Sequence, residues 1–201
     1  MRQTWLRRQG SSDLVLIYSG WAVGAMPFLH LAGASDVLVL DDYRDENLPA
    51  PLLVPYARIR VLAYSLGVAV AARQLAALQP DFAVAVCGSP FVANDRLGIP
   101  SEIFARTMTE LTPANLARFA RRAGAALPPD PDLAALGQEL GMLAQRPAAE
   151  NPRFDHVIAS RNDRIFPASA LQSAWAGHRI RWLETGHNPF PIWQDWQEIF
   201  A

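Results

Sequence analysis

Short apolar runs rich in β-branched residues recur along the chain, spaced by stretches that suit helices. They are LVLIYS (Leu14 to Ser19), VLVL (Val37 to Leu40), IRVLA (Ile59 to Ala63), FAVAVC (Phe82 to Cys87), HVIAS (His156 to Ser160) and RIRWLE (Arg179 to Glu184). Their apolar positions are continuous rather than alternating with polar ones, which is the pattern of strands covered on both faces. Such strands alternating with helical stretches predict an α/β fold, a mostly parallel sheet of about six or seven strands flanked by helices. TWLRR near the start is a candidate antiparallel edge strand, and no internal repeat or low-complexity tract is present.

Between the fourth and fifth runs lies a segment, about 98–151, with no strand candidate. Thr112 followed by Pro113 reads as an N-cap with proline at the first helical position, and Leu111 and Leu116 have the spacing of a hydrophobic staple. Asp130 before Pro131 repeats that start signal for a second helix through LAALGQELGMLAQ, with LPPDP as the connector. The segment is expected to form a small helical cap on the sheet, within one domain spanning residues 1–201.

A chain of 201 residues that is 51% hydrophobic and 18% charged can close a core without staples. The formal charge of −1 gives no reason to expect nucleic acid as a partner. All 18 basic residues are arginine, which excludes a Schiff-base lysine and a P-loop lysine. The single cysteine, Cys87, cannot form an internal disulfide and reads as a buried, inert thiol; no Cys/His spacing suggests zinc, and no cofactor is called for. The apolar run after the N-terminal MRQTWLRRQG is too short for a signal segment or membrane span, so a cytoplasmic protein without membrane contact is expected.

The third run ends in AYSLGVAVA, where Ser65 interrupts an apolar stretch just before an alanine-rich helical segment. A serine at a strand–turn–helix junction needs small residues two before and two after it, so that the strand and helix backbones can pass. Ala63 and Gly67 meet that need, Ala63 standing where glycine is usual. A serine that merely caps the helix fits the same residues. Partners separate the two readings, because a serine hydroxyl needs a base and the base needs an acid to fix its tautomer.

Among four histidines, His156 and His178 begin strands and His30 comes early. His187, in LETGHNPF, directly follows the last strand. Asp163, in SRNDRIFP, follows the penultimate strand, with Asp95 as the rival acid and Asp155 at the wrong end of its strand. The order serine, acid, histidine suits a nucleophile elbow, although a turn aspartate in a surface ion pair and a solvated loop histidine are the ordinary alternatives. Two N–H donors would face a developing oxyanion: that of Leu66, and that of Trp21, which follows Gly20 after the first core strand, though Trp21 also suits plain packing. Asp41, Asp42 and Tyr43 follow the second core strand on the same side, either holding the site or facing water. With no third ligand nearby they do not make a metal site.

With YSGW, LDDYRD, AYSLGVAVA, CGSPF…GIP, SRNDRIFP and TGHNPF in this order, nearly the whole chain resembles the small α/β-hydrolases that act as pimeloyl-[acyl-carrier protein] methyl ester esterases in biotin synthesis. The resemblance implies Ser65 as nucleophile, His187 as base, Asp163 as acid, and Trp21 and Leu66 as oxyanion donors. It further implies an acyl-carrier protein as transient partner and a methyl ester at the far end of its acyl chain as substrate. Ile103, Phe104, Met108, Leu111, Leu116 and Phe119 are then candidates to line an acyl channel, with sealing of the cap on the core as the alternative. Arg118, Arg121 and Arg122 share one helix face at i, i+3 and i+4, suited to an acidic carrier or its phosphate and equally to a solvated face. Other functions compatible with these residues are a thioesterase, a general short-chain esterase, and a non-catalytic binding protein of the same fold.

Overall fold

The computed structural model describes all 201 residues. Seven strands form one sheet: β1 (Arg2–Arg7), β2 (Asp13–Tyr18), β3 (Asp36–Asp41), β4 (Arg58–Tyr64), β5 (Phe82–Val86), β6 (His156–Ser160) and β7 (Ile180–Leu183). Their spatial order is β1-β3-β2-β4-β5-β6-β7, parallel throughout except for the antiparallel edge strand β1. The apolar runs and the edge strand therefore lie where the hydrophobic pattern puts them.

Continuous apolarity has a direct cause. Leu14, Leu16 and Tyr18 of β2 face one core while Val15 and Ile17 face the other, and β3 divides in the same way, every one of these side chains being buried. Both sheet faces are thus removed from water, and the period-2 alternation has no polar half. On the first face the strands present small residues, Ala63, Ala83, Ala85 and Ala159. Helix α2 (Gly67–Leu78) lies there with Ala69, Ala71 and Ala72 buried, so short side chains meet short ones and the backbones come close. Short α1 (Ala50–Leu53) precedes it, and α6 (Ala168–Ala174) covers the far end of the same face. The opposite face is covered by two 3-10 turns, Met26–Phe28 and Phe190–Ile192, and by α7 (Trp196–Phe200).

The cap consists of α3 (Ser101–Thr109), α4 (Pro113–Ala123) and α5 (Leu133–Gln145), inserted between β5 and β6. Thr112 caps α4 as its sequence predicts, its hydroxyl accepting the N–H of Asn115 at 3.2 Å. Helix α5 departs by two residues. Asp130 sits in a turn at φ +53°, and Asp132 is the cap, accepting the N–H of Ala135 at 3.0 Å. Both aspartates flank Pro131, and the residue before a proline is steered out of the helical region, which moves the start to the second one. Helix α3 carries no Ser/Thr/Asp cap of its own. Asp95 reaches its first N–H, that of Ser101, from six residues upstream at 2.7 Å.

Chain order reverses at β2. The chain steps from β2 outward to β3, then returns so that β4 lies on the other side of β2. Loops leaving the C-terminal ends of β2 and β4 diverge there, which is where open parallel sheets form their binding crevice. Residues Ser19 to Trp21 leave β2 at that point, and Ser65 leaves β4.

Candidate active site

Ser65 takes φ +57°, a left-handed conformation that costs a non-glycine residue roughly 1–2 kcal/mol. The surroundings enforce it: its N–H donates to the carbonyl of Val86 at the end of β5 (3.0 Å), and its own carbonyl accepts the N–H of Val68 in the first turn of α2 (3.1 Å). Gly67 is required by close approach. A Cβ there would lie 2.3 Å from the carbonyl oxygen of Tyr18 and 2.5 Å from that of Ser19. At Gly20 the fit is tight but less severe, a Cβ there sitting 3.1 Å from that of Ser65 and 3.0 Å from the ring of Tyr64. Ala63, two residues before the serine, is fully buried.

Ser65 Oγ lies 2.9 Å from His187 Nε2, and His187 Nδ1 lies 2.8 Å from Asp163 Oδ2. The carboxylate can only accept, so Nδ1 carries the proton and Nε2 is left as acceptor for the serine hydroxyl. The other oxygen of Asp163 accepts the N–H groups of Ile165 (2.7 Å) and Phe166 (2.9 Å), which fixes the carboxylate plane. All three residues are buried. The imidazole packs beside two aromatic rings, Tyr64 at 5.1 Å and Phe166 at 6.1 Å between centroids. Neither ring was singled out in the sequence, although each is close in sequence to a triad residue.

The loops bearing acid and base are tied together beneath the site. Ser160 Oγ pairs with Thr185 Oγ1 at 2.7 Å and with Cys87 Sγ at 3.2 Å, and Asn162 N–H donates to the Thr185 carbonyl at 3.2 Å. Burial pushes the Cys87 thiol well above its ordinary range, so it is no nucleophile. The alternatives fall elsewhere. Asp95 is exposed and caps α3, while Asp155 accepts the N–H of Ala83 at the other end of the sheet. His30, His156 and His178 are exposed and away from Ser65, with His30 Nε2 against the Phe190 carbonyl and His178 against the Trp175 ring. Arg161 pairs with Glu184 at 3.1 Å, leaving Asp163 to His187.

Trp21 and Leu66 both border a cavity of about 30 Å³ at Ser65. No protein acceptor takes the backbone N–H of either residue, so both donors are free for an oxyanion. Ile99, Phe104, Phe119, Leu140 and Ile165 make the rest of this inner cavity largely apolar. It adjoins an outer cavity of about 510 Å³ between α3 and α4, with Trp21, Ile103, Thr107, Phe119, Arg122 and Arg164 lining both. Leu111, Leu116, Arg106, Arg118 and Arg121 line the outer one. Met108, read as a channel residue, borders neither cavity. It faces α5, where a Cβ at Gly141 would meet its sulfur at 3.9 Å, because α3 turns its Ile103 and Thr107 toward the site and Met108 toward the neighbouring helix.

Arg118, Arg121 and Arg122 are exposed on the rim beside buried Leu116 and Phe119, as their spacing implies. None is ion-paired; on this rim only Arg106 is, with Glu110 at 2.9 Å. Arg164, three-dimensionally their neighbour, was not distinguished in the sequence from an ordinary turn residue. The three residues after β3 hold structure in place: Asp41 takes Arg2 in a bidentate pair, Asp42 takes Arg44, and Tyr43 is wholly buried. No group of three or more metal-binding side chains is present, and no helix is long and apolar enough to cross a membrane.

A serine at a strained strand–helix turn, hydrogen-bonded through histidine to an aspartate on successive later loops, places this molecule among the α/β-hydrolases. Solved structures agree: a lipase-esterase related protein from Clostridium acetobutylicum superimposes with a TM-score of 0.65 at 13% identity, covering 95% of this chain and 93% of that one. The model of the family described as pimeloyl-ACP methyl esterase BioG matches residues 1–199, and the chain belongs to that family. The crystal structure of BioG from Haemophilus influenzae is similar over the full length of both chains, with a TM-score of 0.91 at 26% identity. A malonyl-[acyl-carrier protein] O-methyltransferase of Bacteroides fragilis is 30% identical over 178 residues, which is 81% of this chain and 36% of that protein. The chain thus spans about a third of the length of that relative.

Proposed function

We propose that the protein is a serine carboxylesterase that hydrolyses the methyl ester of pimeloyl-[acyl-carrier protein] methyl ester. The observation that carries this is the unbroken hydrogen-bonded series Ser65 Oγ, His187 Nε2, His187 Nδ1, Asp163 Oδ2 at the floor of a cavity bordered by two free N–H donors. His187 removes the serine proton as Oγ attacks the ester carbonyl, and the N–H groups of Trp21 and Leu66 take the charge that develops on the carbonyl oxygen. His187 then gives its proton to the departing methoxide, releasing methanol and leaving an acyl-Ser65. Water, deprotonated by His187, attacks that ester and frees the carboxylate, returning the serine proton.

The shape of the site supports a long acyl chain on a small alcohol. A volume of about 30 Å³ beside Ser65 accommodates little more than the reacting ester, and the chain then runs past Phe119 and Ile103 toward the outer cavity. Where it emerges, unpaired Arg118, Arg121, Arg122 and Arg164 suit the phosphodiester and acidic surface of a carrier protein. The family match supports the pimeloyl chain. The Bacteroides relative, whose name describes O-methylation of a carrier-bound malonyl group, supports a carrier-bound methyl ester as the substrate class.

Labelling by a fluorophosphonate, read by intact mass, tests the nucleophile. The native protein is expected to gain one stoichiometric adduct and Ser65→Ala none. Equal labelling of both, or none of the native protein, overturns the reading.

A further inference from the structure

Helix α5 grips the loop that bears the Trp21 donor at two points. Directly, the Trp21 ring N–H donates to the carbonyl of Leu136 at 3.0 Å, while the ring stands edge-on to Phe119 at 4.9 Å. Indirectly, it works through Tyr43. Glu139, one turn along from Leu136, accepts the Tyr43 backbone N–H at 3.1 Å, and Arg146 at the end of α5 donates to the Tyr43 carbonyl at 2.6 Å. Arg146 is steadied in turn by Glu46 at 2.8 Å. Both polar backbone atoms of Tyr43 are therefore bonded by residues of the cap.

The Tyr43 side chain transmits this hold to the active site. Its buried hydroxyl shares its proton between the carbonyl oxygens of Ser19 (2.7 Å) and Leu40 (3.0 Å). The Ser19 carbonyl belongs to the peptide immediately before Gly20, and the next peptide carries the Trp21 N–H. Rotation of the Ser19–Gly20 peptide would swing that N–H away from the oxyanion position. The Tyr43 hydroxyl bonds this carbonyl, and Gly67 lies so near it that a Cβ there would come within 2.5 Å, so turning of the peptide is opposed.

We infer that Tyr43 and Glu139 are positioning residues for the oxyanion hole, through which cap helix α5 sets the direction of the Trp21 N–H. This rests on the proposed role of that N–H in ester hydrolysis. Neither residue touches the reacting atoms. Their effect is on transition-state charge alone, so they act on kcat rather than on ground-state binding.

The test compares Tyr43→Phe, Trp21→Phe, Glu139→Ala and Glu139→Gln in the full chain, after circular dichroism, on a soluble nitrophenyl butyrate. Butylboronic acid, whose serine adduct puts an oxygen in the oxyanion hole, reports the hole independently of turnover. Removing an oxyanion donor outright costs about 10²–10³ in kcat, so misdirecting one is expected to cost about tenfold. Tyr43→Phe, Trp21→Phe and Glu139→Ala should each show that loss and a matching rise in the boronic acid inhibition constant, with KM within about twofold for Tyr43→Phe and Glu139→Ala, whose side chains line neither cavity at Ser65. Glu139→Gln, which keeps the acceptor for the Tyr43 N–H, should restore most of it. Should Tyr43→Phe fail to fold, the Trp21→Phe and paired Glu139 variants carry the same prediction. Folded variants with native kcat and native boronate affinity, or Glu139→Gln no better than Glu139→Ala, overturn the inference. Native protein without esterase activity, or a Ser65→Ala variant that keeps it, sinks the serine-esterase reading itself.

Discussion

The floor and the rim of the site differ in how their polar groups are satisfied. At the floor, Ser65, His187 and Asp163 are buried and each is bonded to the next within 3 Å, with the aspartate held by two further N–H donors. At the rim, Arg118, Arg121, Arg122 and Arg164 border the outer cavity without a carboxylate partner, and only Arg106 is neutralised, by Glu110. Chemistry needs groups whose geometry is settled before the substrate arrives, whereas recognition needs charges still free to be paired by it. The bonded groups of the floor suit the first need and the unpaired arginines of the rim the second. Between floor and rim stand Ile103 and Phe119, apolar side chains that line both cavities.

If that division holds, damage to the floor and damage to the rim leave different kinetic signatures. Ser65→Ala, by removing the nucleophile, should lower kcat by a factor on the order of 10⁴–10⁶ on any ester. Asp163→Asn follows, at about 10³–10⁴, since the amide stabilises the wrong tautomer of His187, while Asp95→Asn should stay near the native rate. Steady-state rates on nitrophenyl butyrate check both. A native-like rate for Asp163→Asn would move the acid elsewhere. Next in size is the rim: Arg121→Glu with Arg122→Glu should raise KM for carrier-bound substrate about tenfold or more and spare the small soluble ester. Equal losses on the two substrates would erase the distinction between floor and rim.

The smallest expected effect concerns stability and sharpens the contrast with a third environment. Burial, reinforced by Asp42 and Asp41 and opposed by the Tyr43 N–H and Arg2, pushes the Glu139 carboxyl up to about 7. Its folded value lies above its unfolded one, so the protonated form favours folding. Stability from this group is complete below about pH 4.5, declines as pH rises toward 7, and is gone above it, a change of roughly 3 kcal/mol at most. Urea unfolding at pH 5 and pH 8 should show a smaller drop for Glu139→Gln than for the native chain. An identical drop would mean that Glu139 is ionised throughout.

Much of this was legible in the chain because it follows from backbone periodicity. Two-sided burial makes β2 through β6 readable as apolar runs, and the Ser65 turn is readable because a crowded backbone admits only small neighbours, as the contacts made by a Cβ at Gly67 demonstrate. His187 and Asp163 were readable from their position after β7 and β6. What escaped depends on which way a helix is rotated or on which distant strand it meets. Met108 and Thr107 are adjacent in sequence, and only the packing of α3 on α5 decides that Thr107 borders the cavity. Glu139 looks like any polar residue of a helix until α5 is laid over Tyr43, ninety-six residues away in sequence. Arg164 looked like a turn residue because nothing local tells that the loop after β6 points under the cap.

The central claim is that the floor breaks the methyl ester and the rim holds the carrier by which the other end of the chain is attached. Mass spectrometry of pimeloyl-[acyl-carrier protein] methyl ester after incubation with the native protein tests it in one measurement. The account predicts a carrier that still bears its acyl chain as a thioester, lighter by the one methylene lost on conversion of methyl ester to acid, with methanol released in equal amount. A carrier with a free thiol and an intact methyl ester would contradict it.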